Sequence, residues 1–280
     1  PAAAVHYGRR DNPAPSAPYT NWVDAATNIQ DAIDAATQVG AHVLVTNGVY
    51  DAGGRAVHGS LTNRVTIGKP ITVRSVHGPA VTAIRGLGPA GDGAVRCAYV
   101  GTNAVLEGFL LTNGSTRAGG DEYTERAGGG AWCEAAGTIT HCTMAGNTAS
   151  AYGGGAYGGT LGGCALTNNA ADSGGGAFGA ALSGCTLAGN VAQGDGGGAC
   201  QGTLDACRLS GNAAAYGGGA FGATLGACAI WSNAASASGA DRRSVSSRRP
   251  GTAAPRAAQA DSVGAASTKT SLARRSRRLF

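Results

Sequence analysis

Apolar residues in this chain follow two rhythms. Between residues 42 and 111, short apolar runs alternate with Gly, Pro and Asn turns. From Gly128 to Asn233 one pattern recurs, with small residues where a helix would need long ones. Gly-Gly-Gly-Ala begins at Gly128, Gly153, Gly174, Gly196 and Gly217, so successive starts lie 25, 21, 22 and 21 residues apart. Cys142, Cys164, Cys185, Cys207 and Cys228 keep the same beat. Each is followed five residues later by an asparagine: Asn147, Asn169, Asn190, Asn212 and Asn233. Met144, Leu166, Leu187, Leu209 and Ile230 lie two residues after those cysteines.

A period of about 21 residues is too short for a helix pair, which needs roughly 33. The abundance of Gly also argues against helix. Each period instead divides into three short strand-like pieces, which describes one coil of a parallel β-helix. Coils then pair at roughly 4.8 Å, and equivalent residues stack into ladders. Alternation along Cys164-Ala165-Leu166 puts Cys and Leu inside, as small and large buried hydrophobes. The asparagines are expected at a corner that tolerates left-handed backbone, with amides bonding along the stack. The glycine triplets mark another corner, needing positive φ or close backbone approach. Ala131, Ala156, Ala177, Ala199 and Ala220 read as inward positions, so Trp132, Tyr157, Phe178, Cys200 and Phe221 point outward.

Upstream, Thr27-Asn28-Ile29-Gln30 reads as a capping box opening a helix within residues 25–39, with Gly40 as its C′ residue. Ile29, Ile33 and Ala36 form its apolar stripe. Such a helix, with Trp22 beside it, would cover the first coil, whose edge and core otherwise face water. Strands are predicted over residues 42–45, 65–67, 71–73, 81–84, 94–100 and 104–111. The division is a flexible segment 1–20, a β-helix domain 21–235 (irregular coils 41–127, regular coils 128–235) and a disordered basic tail 236–280.

Charge changes the picture once it is divided. The net charge is +5, but residues 241–280 hold ten basic and two acidic side chains, whereas residues 1–240 hold 11 basic and 14 acidic. The repeat region is therefore mildly acidic, and no nucleic-acid partner is expected. The cysteines contain no Cys-x-x-Cys pair and recur at coil spacing, so they read as free buried thiols rather than metal ligands or a disulfide framework. No apolar leader and no transmembrane run occurs in this chain.

The Gly-Gly-Gly-Ala-aromatic and Thr-Leu-x-x-Cys-x-Leu-x-x-Asn pattern resembles bacterial right-handed parallel β-helix proteins of the pectate-lyase-like superfamily. It is more loosely similar to chlamydial polymorphic outer-membrane-protein repeats. The resemblance covers about residues 19–235 and implies an all-β solenoid at the cell surface or outside the cell. That superfamily spans adhesins, lyases and hydrolases, so the residues must choose among functions.

Candidate chemistry is sparse. Outward Trp132, Tyr157, Phe178 and Phe221 form a possible carbohydrate platform, interrupted by Cys200. Asp172 and Asp195 precede consecutive glycine triplets, and Asp121, Glu122 and Glu125 form the one dense acidic group. Glycoside hydrolysis needs two carboxyls roughly 5–9.5 Å apart. A lyase of this fold would add a base, commonly Arg or Lys, and often calcium, so calcium is expected under that alternative alone. Gly86-Leu87-Gly88-Pro89-Ala90-Gly91 matches a dinucleotide fingerprint but precedes a strand-like run, which discounts it. The reading is a non-catalytic adhesive or carbohydrate-binding scaffold; the alternative is a polysaccharide lyase or glycoside hydrolase.

Overall fold

The computed structural model describes residues 3–237. Most of the predicted tail, residues 238–280, lies outside the described residues. The chain is an all-β parallel β-helix, right-handed as parallel crossover connections are. Its strands stack into sheets of nine, eight, eight and four members. Among the described strands the pairings are parallel except where Arg55–Ala56 runs antiparallel to Thr62–Ile67.

One regular coil contains Ala156–Tyr157, Thr160–Gly162, Ala165–Thr167 and Ala170–Ala171, one strand for each sheet. The sequence predicted three strands per coil; the two-residue fourth is an addition. Its backbone groups need partners, and the coil before supplies them: Asn147 O accepts from Ala170 N at 2.9 Å, and Asn169 O from Val191 N at 2.9 Å. Another difference is the predicted strand 104–111, which splits into Val105–Glu107 and Leu110–Thr112 around Gly108 at φ +77°.

Inside the coils the columns stand as expected. Ile139, Leu161, Leu182 and Leu204 align in one sheet, and Met144, Leu166, Leu187 and Leu209 in the next. All are buried, and each buried leucine contributes roughly 1.5–3 kcal/mol. The cysteines Cys142 to Cys228 are free and stack in register with them. Burial pushes the Cys142 thiol up to about 12.

The asparagine column corrects the sequence reading. The left-handed residues are those just before each asparagine: Gly146, Asn168, Gly189, Gly211 and Ser232. The asparagines instead point their amides inward. Asn190 Oδ1 accepts from Asn169 N at 3.0 Å and Asn169 Nδ2 at 2.9 Å. Asn190 Nδ2 donates to Leu166 O at 2.8 Å and to Asn212 Oδ1 at 2.9 Å. Asn147, Asn169, Asn190 and Asn212 each tie three coils in this way, with both donors and the acceptor satisfied in the interior, whereas Asn233 in the last described coil donates to Leu209 O and to Trp231 O of its own coil.

The glycine triplets close the coil for two reasons. Gly196 sits at φ +64°, while a Cβ on Gly197 would lie 2.4 Å from Ala213 O. Backbones pass too closely there for any side chain.

The N-terminal end is more ordered than predicted. Residues 5–8, expected to lie in a flexible segment, form β1 (Val5–Gly8). Val5, His6 and Tyr7 supply a strand that pairs in register with β2 (His42–Val45) and covers its open edge. Helix α1 is shorter than predicted, Ile29–Ala35, and its N-cap is Asn28, whose Oδ1 accepts from Asp31 N at 2.8 Å. Thr27 is not the cap. Gln30 cannot serve the box because its amide pairs with Thr66 N (2.8 Å) and Thr66 O (3.2 Å), covering an edge strand. Gly40 is not the C′ residue, since the helix ends at Ala35 with Ala36 as its C-cap. Ile29, Ala32 and Ile33 bury the predicted stripe, and Trp22 packs edge-on against Tyr7.

The insertion before the regular coils is pinned from below. Arg96 is fully buried and donates to Gly128 O, Asn63 Oδ1, Thr124 O and Ala127 O. Burial pulls its pKa down to about 9, so it stays charged at neutral pH. Glu125 is a second pin. Its carboxylate accepts from Ser60 N (2.9 Å), Arg117 Nη1 (2.8 Å) and Asp121 N (3.2 Å). Those donors, the Ser60 amide foremost, hold its pKa down at about 2.

Two outcomes follow from these contacts. Asn190→Ala orphans two buried donors and a carbonyl, and should cost about 3 kcal/mol in chemical denaturation; a loss below about 0.5 kcal/mol would remove the amide column as a main support. For Glu125, the depressed value means its contribution is complete above the ordinary 4.5 and disappears as pH falls toward 2. With Trp22→Phe and Trp231→Phe in place, Trp132 emission should change across that window. Glu125→Gln should abolish the change.

Candidate functional site

The third sheet (Arg55–Ala56 through Ala220–Phe221) presents its outer face as one row. Backbone register aligns Tyr99, Trp132, Tyr157, Phe178, Cys200 and Phe221. Because the flanking Ala residues point inward, the next residue must point out. Ring centroids are 5.5 Å apart for Tyr99–Trp132 and 5.8 Å for both Trp132–Tyr157 and Tyr157–Phe178, with interplanar angles of 7°, 19° and 7°. Strand spacing therefore stacks them.

A second row lies beside the first. Tyr152, Ser173, Asp195 and Tyr216 each come just before a glycine triplet, and bridges join Tyr152 to Ser173 and Asp195 to Tyr216. Tyr152 sits 4.5 Å from the Phe178 ring, and Tyr123 from the insertion stacks 5.4 Å from Tyr152. Between the rows runs a shallow groove of about 400 Å³, with Tyr157, Phe178, Cys200 and Phe221 along one side and Tyr152, Asp172 and Asp195 along the other. At Cys200 the side chain is small, so the missing ring opens the depression between Phe178 and Phe221. What reads in the sequence as a break in the platform is its concavity.

The predicted residues divide accordingly. Tyr157, Phe178 and Phe221 line the groove, as do Asp172 and Asp195. Partial burial, and then the charge of Asp172, raise the Asp195 carboxyl above its ordinary value. Trp132 belongs to the row but not to the groove lining: its Nε1 donates to Tyr123 O at 2.7 Å, and His58 covers its ring at 5.3 Å. Asp121 and Glu125 serve structure. Asp121 Oδ1 accepts from Tyr123 N, Thr124 N and Thr124 Oγ1, which lowers its pKa, and Glu125 is the pin described above. Glu122 stands at the rim beside Tyr123 and Tyr152. Its carboxylate is the main cause raising the Tyr123 phenol; at Tyr152 it adds to burial.

Sequence reasoning missed Tyr99, Tyr123, Tyr152, Ser173, Gln201 and Tyr216. A signal existed for the second row, whose members share the position before a triplet. Tyr99 follows an alanine as the other row members do, but without the triplet. Burial pushes the Cys200 thiol up to about 12, away from the thiolate form. The fingerprint-like residues 86–91 form an antiparallel bridge, Leu87 with Val95, and no helix follows.

No family model and no curated protein matches the chain. Among solved structures it is similar to pectin methylesterase PemA from Erwinia chrysanthemi, at a TM-score of 0.45 and 10% sequence identity, over 82% of this chain and 81% of that one. The parallel β-helix itself stands on the register of this chain's own strands, coil against coil.

Proposed function

We propose that the chain is a non-catalytic, adhesive or glycan-binding scaffold acting outside the cell or at its surface. The observation that carries this reading is the stacked ring row that opens into a groove flanked by phenols and carboxylates. Sugar rings offer C–H faces to aromatic rings and hydroxyls to Asp, Tyr and Gln, so both halves of the lining have a role. Solenoid strands hold these groups at fixed spacing without cost in ordering. The thiols suit an exterior setting, because buried, protonated cysteines react slowly with oxidants. No described helix is long and apolar enough to cross a membrane. A polysaccharide is the expected partner.

One observation favours a second reading. A raised carboxyl, Asp195, beside another, Asp172, is the arrangement that glycoside hydrolysis employs. The enzyme would then be a glycosidase with Asp195 as acid. A lyase is favoured less, because the described groove lining holds no Arg or Lys as base; calcium belongs to that form alone.

A glycan array followed by titration tests the scaffold reading. Phe221→Ala should weaken binding of a retained glycan about tenfold while leaving the unfolding midpoint within a few degrees, since the ring stands at the groove. Retention of no glycan, or unchanged binding by the variant, would count against it. Reducing-end release or unsaturated product, with or without calcium, is expected to be absent. Product formed by the native chain and lost in Asp195→Asn would instead establish the enzyme.

A further inference from the structure

Resting on the glycan-binding reading, we infer that the groove selects glycans bearing protonated amino sugars over neutral or uronate chains. Asp172 and Asp195 line it, the charge of Glu122 acts on the lining phenols Tyr123 and Tyr152, and the described lining contains no Lys, Arg or His. Partial burial, and after it the charge of Asp172, raise the Asp195 carboxyl, and both acids line the same groove. An ammonium group between them relieves that repulsion, whereas a uronate carboxylate adds to it. The part of the chain that carries the groove has the same sign, residues 1–240 holding a net −3. Acetylation of the amine removes the charge but leaves the sugar's stacking face intact. Selection therefore depends on the acids, and affinity in general on the rings.

The test is calorimetric titration of the full chain with three tetramers, of glucosamine, N-acetylglucosamine and galacturonate, at a pH where the amine is protonated. The glucosamine tetramer should bind about tenfold tighter than its acetylated counterpart, and the galacturonate tetramer weakest. In Asp172→Asn/Asp195→Asn, both at accessible positions, the ratio of glucosamine to acetylated tetramer affinity should fall to within about twofold. Equal or tighter binding of the acetylated or uronate tetramer overturns the inference and leaves the glycan-binding reading standing. So does an unchanged preference in the double variant. Binding of none of the three overturns both.

Discussion

The structure depends on one constraint: each coil must end where the next begins, one strand spacing along the axis. The asparagine amides enforce it. From Asn147 to Asn212 each accepts from one neighbouring coil and donates to both, in an interior where a missing partner is expensive. The Asn–Asn bonds hold at 2.8–3.1 Å across coils of both 21 and 22 residues, so a change of one residue in coil length is taken up elsewhere and the amide column keeps its register. Leucine columns supply most of the burial, but they tolerate slippage; the amides do not.

The same constraint produces the outer surface. Inward alanines and backbone-to-backbone contacts at the glycine triplets leave the following residue pointing outward at every coil. A row of rings follows from register alone. Variation within the row then shapes it: Cys200 removes a ring and makes a depression, and Asp195 and Tyr216 alternate acid and phenol along the neighbouring row. Small changes at fixed positions on a rigid lattice can alter what the surface binds without touching the fold.

Both departures from the lattice are tied down by polar groups. At the start, β1, α1 and Gln30 cover strand edges that would otherwise be open. Before the regular coils, Arg96 and Glu125 hold the insertion, which brings Tyr123 and Glu122 to the head of the groove and covers Trp132. The insertion thus sets where the exposed part of the aromatic row begins.

The sequence by itself determined the coil, its period, the inward Cys, Leu and Ala columns and the outward aromatic row. A repeated period leaves few ways for equivalent residues to meet, so these could be read from spacing. It also placed a helix before the first coil, though with the wrong cap, because Thr27 and Asn28 are both capping residue types, of which Asn is the stronger, and Gln30 was drawn away to Thr66. Only the tertiary structure decided which acids are spent on holding the insertion, which aromatic ring is covered and where the groove opens. Those outcomes depend on non-repeating segments, the insertion above all, whose contacts with distant coils are set by three-dimensional proximity and leave no period in the chain. The left-handed residue at the asparagine corner was misplaced by one for a related reason: spacing locates a corner, and only backbone geometry shows which residue turns it.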